Sequence, residues 1–224
     1  MKPSKAVIER LVLLALAITC LVPAMPAAAA PPQASRAQAL SELKGADAGE
    51  RRRGAMNLGI VGRMEDASAL LAALRDEDES VREIAEESVW AVWSRSGDAR
   101  VDELFRKGVA RMSEQRFPEA IAAFTRVIEL KPDFAEGWNK RATAYFLAGE
   151  YRESLKDCAQ VIRRNPRHFG ALSGYGQIYL RLEEPEKALQ YFRRALAVNP
   201  NLEGVQGAIE ELESLLVQRR GRMI

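Results

Sequence analysis

Histidine is almost missing from this chain: His168 is the only one, and cysteine occurs twice, at Cys20 and Cys158. With no HExxH and no paired CxxC, the usual histidine and cysteine zinc spacings are excluded. The lone histidine lies in "RRNPRHFGALSGYG", beside Gly170, Gly174 and Gly176. That stretch fails as a phosphate cradle, because Gln177 follows Gly176 where a P-loop needs Lys and Ser or Thr. His168 falls at the start of an expected helix and is read as a surface or capping residue. "RDEDES" at 75–80 lacks the alternating ligands and central glycine of a calcium loop and reads as a turn between helices. No catalytic residue, metal or cofactor is expected.

Charge of one sign is also lacking. The chain has 33 basic and 31 acidic residues, a formal charge of +2. This leaves no general attraction for a polyanion, so nucleic acid is not an expected partner. The basic cluster Arg219, Arg220 and Arg222 reads as a solvated terminus. Long apolar runs are scarce too. The one candidate, "LVLLALAITCLV" at 11–22, is about twelve residues, against about twenty for a membrane-spanning helix. It follows Lys2, Lys5 and Arg10 and precedes the small-residue run "PAMPAAAA". That order is the layout of a secretory signal peptide over residues 1–29, with cleavage expected near Ala28 or Ala29. Thr19 before Cys20 argues against lipid attachment there. The alternative is an uncleaved anchor at the inner membrane, which would add a membrane to the partners. Without residues 1–29, basic and acidic side chains number 30 each, and Cys158 stands alone, with no internal disulfide possible.

What the chain has in abundance is repetition. Pro132, Pro166 and Pro200 are 34 residues apart and close similar units, "VIELKP", "VIRRNP" and "ALAVNP". In the same register, Gly108, Ala142 and Gly176 are small, and so are Ala120, Ser154 and Ala188. Phe124, Cys158 and Phe192 come four later, and Val127, Val161 and Ala195 three after those. Phe117 and Tyr151 open second helices. Pro118 and Pro185 fit a first helical turn, where no amide donor is lost. Asp133 and Asn201 are expected to cap the helices that follow. Val205, Ile209, Leu212 and Leu216 give the last segment helical spacing, as a cap over the final repeat.

This pattern resembles the tetratricopeptide repeat (TPR) family, with units at 101–134, 135–168 and 169–202 and a closing helix at 203–219. Residues 36–95 hold a second, weaker period. Arg51, Leu58 and Val61 match Arg82, Val89 and Val92 at a spacing of 31, which is similar to HEAT-like repeats. Ser88, Trp90 and Trp93 depart from that pattern. Residues 30–35, "APPQAS", read as a disordered lead. The expected fold class is all-α: a right-handed helical-repeat solenoid of antiparallel helix pairs.

The resemblance implies a non-enzymatic scaffold that binds a partner protein or peptide on the concave face of its first helices. The implied groove residues are Phe105, Val109, Met112, Asn139, Thr143, Phe146, Gly170, Ser173, Gly174 and Gln177. Only Asn139 and Lys140 echo the Lys and Asn clamp with which some members hold a peptide carboxylate, so an apolar strip suited to an extended peptide or amphipathic helix is expected instead. Together with the signal, this suggests an adaptor in the periplasm of a Gram-negative bacterium. An enzyme built on groove carboxylates is the reading of another class.

Overall fold

The computed structural model describes residues 34–221, with side chains as far as residue 218. The expected signal peptide and most of the lead fall outside the described residues. Among the described residues there are eleven α-helices, one 3-10 turn and no strand. The chain divides after Ser96 into two compact units.

The first unit holds α1 (Arg36–Glu42), α2 (Ala48–Val61), a 3-10 turn (Met64–Asp66), α3 (Ala67–Ala73) and α4 (Glu79–Trp93). Side-chain caps fix three of the helix starts. Ser35 accepts from the Gln38 amide, Asp47 from Glu50, and Asp78 from Val81. The fully buried Leu58, Leu70, Leu74, Val81 and Val89 form the core. Gly59 brings α2 close to α4: a Cβ there would lie 2.6 Å from the Ser88 hydroxyl. The small Ser88 therefore fits the contact between the two helices.

The two arginines of the 31-residue period converge on one turn. Arg51 grips Asp76 with two hydrogen bonds of 2.8 and 2.9 Å. Arg82 donates to the carbonyls of Asp76 and Glu77 at 3.0 and 3.1 Å. Asp78 of the same turn caps α4. The acidic run "RDEDES" is thus a turn whose carboxylates already serve the fold.

The second unit holds α5 (Ala99–Ser113), α6 (Phe117–Leu130), α7 (Ala135–Leu147), α8 (Tyr151–Arg164), α9 (Phe169–Arg181), α10 (Pro185–Val198) and α11 (Glu203–Gly221). Each helix packs on its successor through α10 on α11. The 34-residue period is therefore a helix pair, repeated three times and closed by α11, whose Val205, Ile209 and Leu212 are buried. Pro118 and Pro185 sit in the first turns of α6 and α10.

One joint differs from the sequence expectation, and one turn carries a motif that the period does not announce. Asp133 does not cap α7; the N-cap residue is Phe134, which makes no side-chain cap bond. The turn inside each pair is left-handed at one repeat position: Gln115 and Glu183 have φ of 60°, and Gly149 has 81°. There the next amide reaches back to the helix, from Arg116 to Arg111 (2.9 Å), Glu150 to Tyr145 (2.8 Å) and Glu184 to Tyr179 (2.8 Å). This satisfies carbonyls that the helix end would leave open. Only the middle unit uses glycine there, so glycine alone does not mark the motif.

Candidate binding groove

Size matching sets the spacing within each helix pair. Gly108 faces Phe124: a Cβ would lie 2.6 Å from the ring. Gly176 meets Phe192 in the same way. In the middle unit the aromatic is replaced by Cys158 and the glycine by Ala142, and the two share one apolar cluster. Small faces large in the outer pairs, and medium faces medium in the middle one.

Cys158 is buried, and burial pushes its thiol up to about 12. Thiolate is the reactive form, so the thiol is inert in the folded chain. In a Cys20→Ser chain, an aromatic disulfide reagent is expected to leave Cys158 unmodified at pH 8 until denaturant is added. Rapid native-state labelling would contradict the packing.

The middle unit carries a polar lattice that the period did not announce. Arg141 holds Asp157 with bonds of 2.7 and 2.9 Å and Thr125 at 3.0 Å, tying α7 to α8 and α6. Trp138 lies under the guanidinium groups of both Arg141 and Arg164. Its indole N–H and the Nε of Arg164 both donate to the Pro132 carbonyl, at 2.9 and 2.6 Å. In the third unit Tyr175 stacks on Tyr191, ring centres 4.3 Å apart, and Tyr179 stacks beside both. Burial, the largest cause, pushes the Tyr175 hydroxyl above its ordinary range.

His168 is not a surface residue: it has no exposure. Its repeat position is held by Phe134 and Leu202 in the neighbouring units, and both are buried. The histidine therefore occupies a core position. Its Nδ1 accepts the Ala171 amide at 3.1 Å as the cap of α9. A backbone N–H can only donate, so the ring proton is on Nε2, which donates to Glu136 at 2.8 Å. Asn139 donates to the same carboxylate at 3.1 and 3.2 Å, and the Lys140 ammonium lies 3.4 Å from it. Burial acts to raise Glu136, but Lys140, His168 and Asn139 outweigh it and hold the carboxyl below its ordinary value. Both ring nitrogens of His168 are engaged, so this cluster is a structural tie between α7 and the start of α9.

The ten groove positions divide between core and surface. Phe105 is 6 % exposed, with its ring 5.8 Å from Phe124 and 5.5 Å from Phe134. Asn139 serves Glu136. Ser173 and Gln177 are buried, and the Ser173 hydroxyl makes no hydrogen bond among the described residues. Val109, Met112, Thr143, Phe146, Gly170 and Gly174 are half-buried. Val109 and Met112 on α5 pack against the first core cluster and Phe146 on α7 against the second. α5 and α7 touch each other, so Met112, Val109 and Thr143 belong to neighbouring helices. Gly174 is not forced by crowding: a Cβ would meet only the Cys158 sulfur, at an ordinary 3.8 Å.

Comparison with known proteins agrees with this geometry. The tetratricopeptide repeat family pattern matches residues 105–159 and 140–203. A TPR repeat-containing protein of Rhizobium etli is 34 % identical over 158 residues, 70 % of this chain and 76 % of that one. Hsp70-Hsp90 organizing protein 1 of Glycine max is 30 % identical over 115 residues, 50 % of this chain but only 20 % of its own length. Among solved structures, the first TPR domain of Spaghetti bound to the HSP90 peptide SRMEEVD superposes with a TM-score of 0.51 at 23 % identity, covering 54 % of this chain and 96 % of that one.

Proposed function

The chain belongs to the tetratricopeptide repeat family, and from that premise we propose that it is a non-enzymatic adaptor whose second unit takes a segment of a partner protein on the face shared by α5 and α7. The observation that carries this reading is the set of half-buried side chains at Val109, Met112, Thr143 and Phe146, on helices that touch. Such side chains have apolar surface left to bury and a backbone already held in place, which lowers the cost of binding. A segment with apolar side chains at alternate or helical spacing fits this strip.

A free C-terminal carboxylate is the less suitable ligand. Lys140, the one cation of the clamp-like pair, lies against the buried Glu136 carboxylate, and Phe105, Val109 and Gly174 bring no charge. The basic, apolar and small-residue order of residues 1–29 supports work outside the cytoplasm, in the periplasm, with an anchored form at the inner membrane as the alternative. N-terminal sequencing of the protein from the envelope separates the two.

Phe105 is a poor probe of the groove, because charging a core ring unfolds its surroundings. Met112→Glu combined with Thr143→Arg is the better choice. The chain is expected to capture a partner from envelope extract, and the double variant, with unchanged circular dichroism, to lose that capture at least tenfold. Undiminished capture by the folded variant would remove the groove assignment.

A further inference from the structure

The first unit leaves apolar side chains in water on one line. Met56, Ile60 and Met64 are 50, 53 and 47 % exposed. They follow Arg52 in steps of four, so Arg52, Met56 and Ile60 form one stripe along α2 that runs on into the 3-10 turn. Arg53 flanks it, three residues before Met56 and seven before Ile60. Arg52, Arg53 and Arg63 are exposed, and none forms an ion pair among the described residues. The opposite side of α2 is also apolar, with Gly54, Ala55 and Leu58 buried. A helix on the surface of a folded unit ordinarily shows one apolar face and one polar face. Here the outer face joins exposed thioethers and an isoleucine to the guanidinium groups of Arg52 and Arg53, while Arg63 lies in the field of the Asp66 carboxylate. Glu50, the nearest acid on the helix, lies off the stripe by the helical period, and Glu65, which follows Met64 in the 3-10 turn, is paired with Arg36.

We propose that this outer face of α2 docks on an anionic lipid surface, the arginines meeting phosphate oxygens while Met56, Ile60 and Met64 enter the outer acyl layer. The charge complementarity is direct, since guanidinium pairs with phosphate in two parallel hydrogen bonds. A bilayer also supplies negative charge and apolar depth in one layer, which is what a stripe with arginines at both ends requires. Between its arginines the stripe presents only Met56 and Ile60, which offer a protein partner no directional contacts. Three apolar side chains bury little area, so the attachment is reversible and weakens with salt. It is independent of the groove of the second unit.

The test is co-sedimentation of the full chain with vesicles of phosphatidylglycerol and, separately, of phosphatidylcholine. Binding is expected to phosphatidylglycerol only and to fall as salt rises. R52E/R53E is expected to bind about thirtyfold more weakly, and I60D about tenfold more weakly, both with unchanged circular dichroism. V217D, at an exposed apolar position of the second unit, is expected to bind like the parent. Equal binding to both lipids, or variants that bind phosphatidylglycerol like the parent, would overturn the proposal. So would a charge reversal that releases a co-purifying protein but leaves vesicle binding intact, because the face would then belong to a protein partner.

Discussion

Replacing Gly176 with alanine is expected to destabilise the second unit by about 3 kcal/mol, lowering its melting temperature by about 10 °C. The new methyl would fall on the Phe192 ring, which is fully buried and cannot move aside. Gly207→Ala is the control. That glycine is also helical, on α11, but a Cβ there meets nothing within 4 Å. Alanine should therefore stabilise by up to about 1 kcal/mol, because it removes the entropy cost of a helical glycine. The middle unit indicates what rescues the first variant. It pairs Ala142 with Cys158 where its neighbours pair glycine with phenylalanine. Gly176→Ala combined with Phe192→Cys should thus be more stable than the sum of the single effects predicts, by at least about 1 kcal/mol in thermal or denaturant unfolding. Strict additivity would show that the two positions do not share one space.

The second large effect is at the buried histidine. His168→Ala removes the cap of α9 and the Nε2 donor of Glu136 together. About 1 kcal/mol is expected from the cap and more from a buried carboxylate that has lost a donor, about 3 kcal/mol in all. His168→Asn restores an acceptor for the Ala171 amide and should recover the cap portion alone. Glu136→Gln keeps an acceptor for the histidine without burying a charge and should cost about 1 kcal/mol or less. The pH dependence has a definite sign. Glu136 is held below its ordinary value near 4.5, so the unfolded chain takes up its proton first as pH falls. Its contribution is complete above about 4.5 and is lost as pH drops through the depressed value. The Glu136→Gln chain should lack that part of the acid slope in denaturant midpoints measured from pH 6 to pH 3.

The period made the repeated helix pairs legible, because residues at 108 and 120 recur small, and those at 124 and 127 recur apolar, 34 and 68 positions later. The buried state of His168 follows from the same rule, although its place at a helix start alone reads as surface or cap. Counted in the period, it stands with Phe134 and Leu202. Repeat position alone puts Phe105 in the groove, yet Phe134, four residues before Trp138, reaches back and draws it into the core. The left-handed turns could not be read from composition. Backbone bonds to Arg111 and Tyr179 hold Gln115 and Glu183 in a conformation that glycine adopts at Gly149. The Arg141–Asp157 tie was equally hidden, because only the middle unit has this residue pair at positions that the third unit fills with Tyr175 and Tyr191.

The most direct test of a binding groove is the backbone-amide spectrum of the folded chain titrated with a peptide selected for binding. Shifts are expected along α5 and α7, centred on Val109, Met112 and Thr143, and should disappear in the Met112→Glu/Thr143→Arg variant. Saturable binding that leaves α5 and α7 unshifted and perturbs only residues 34–96 would contradict the account.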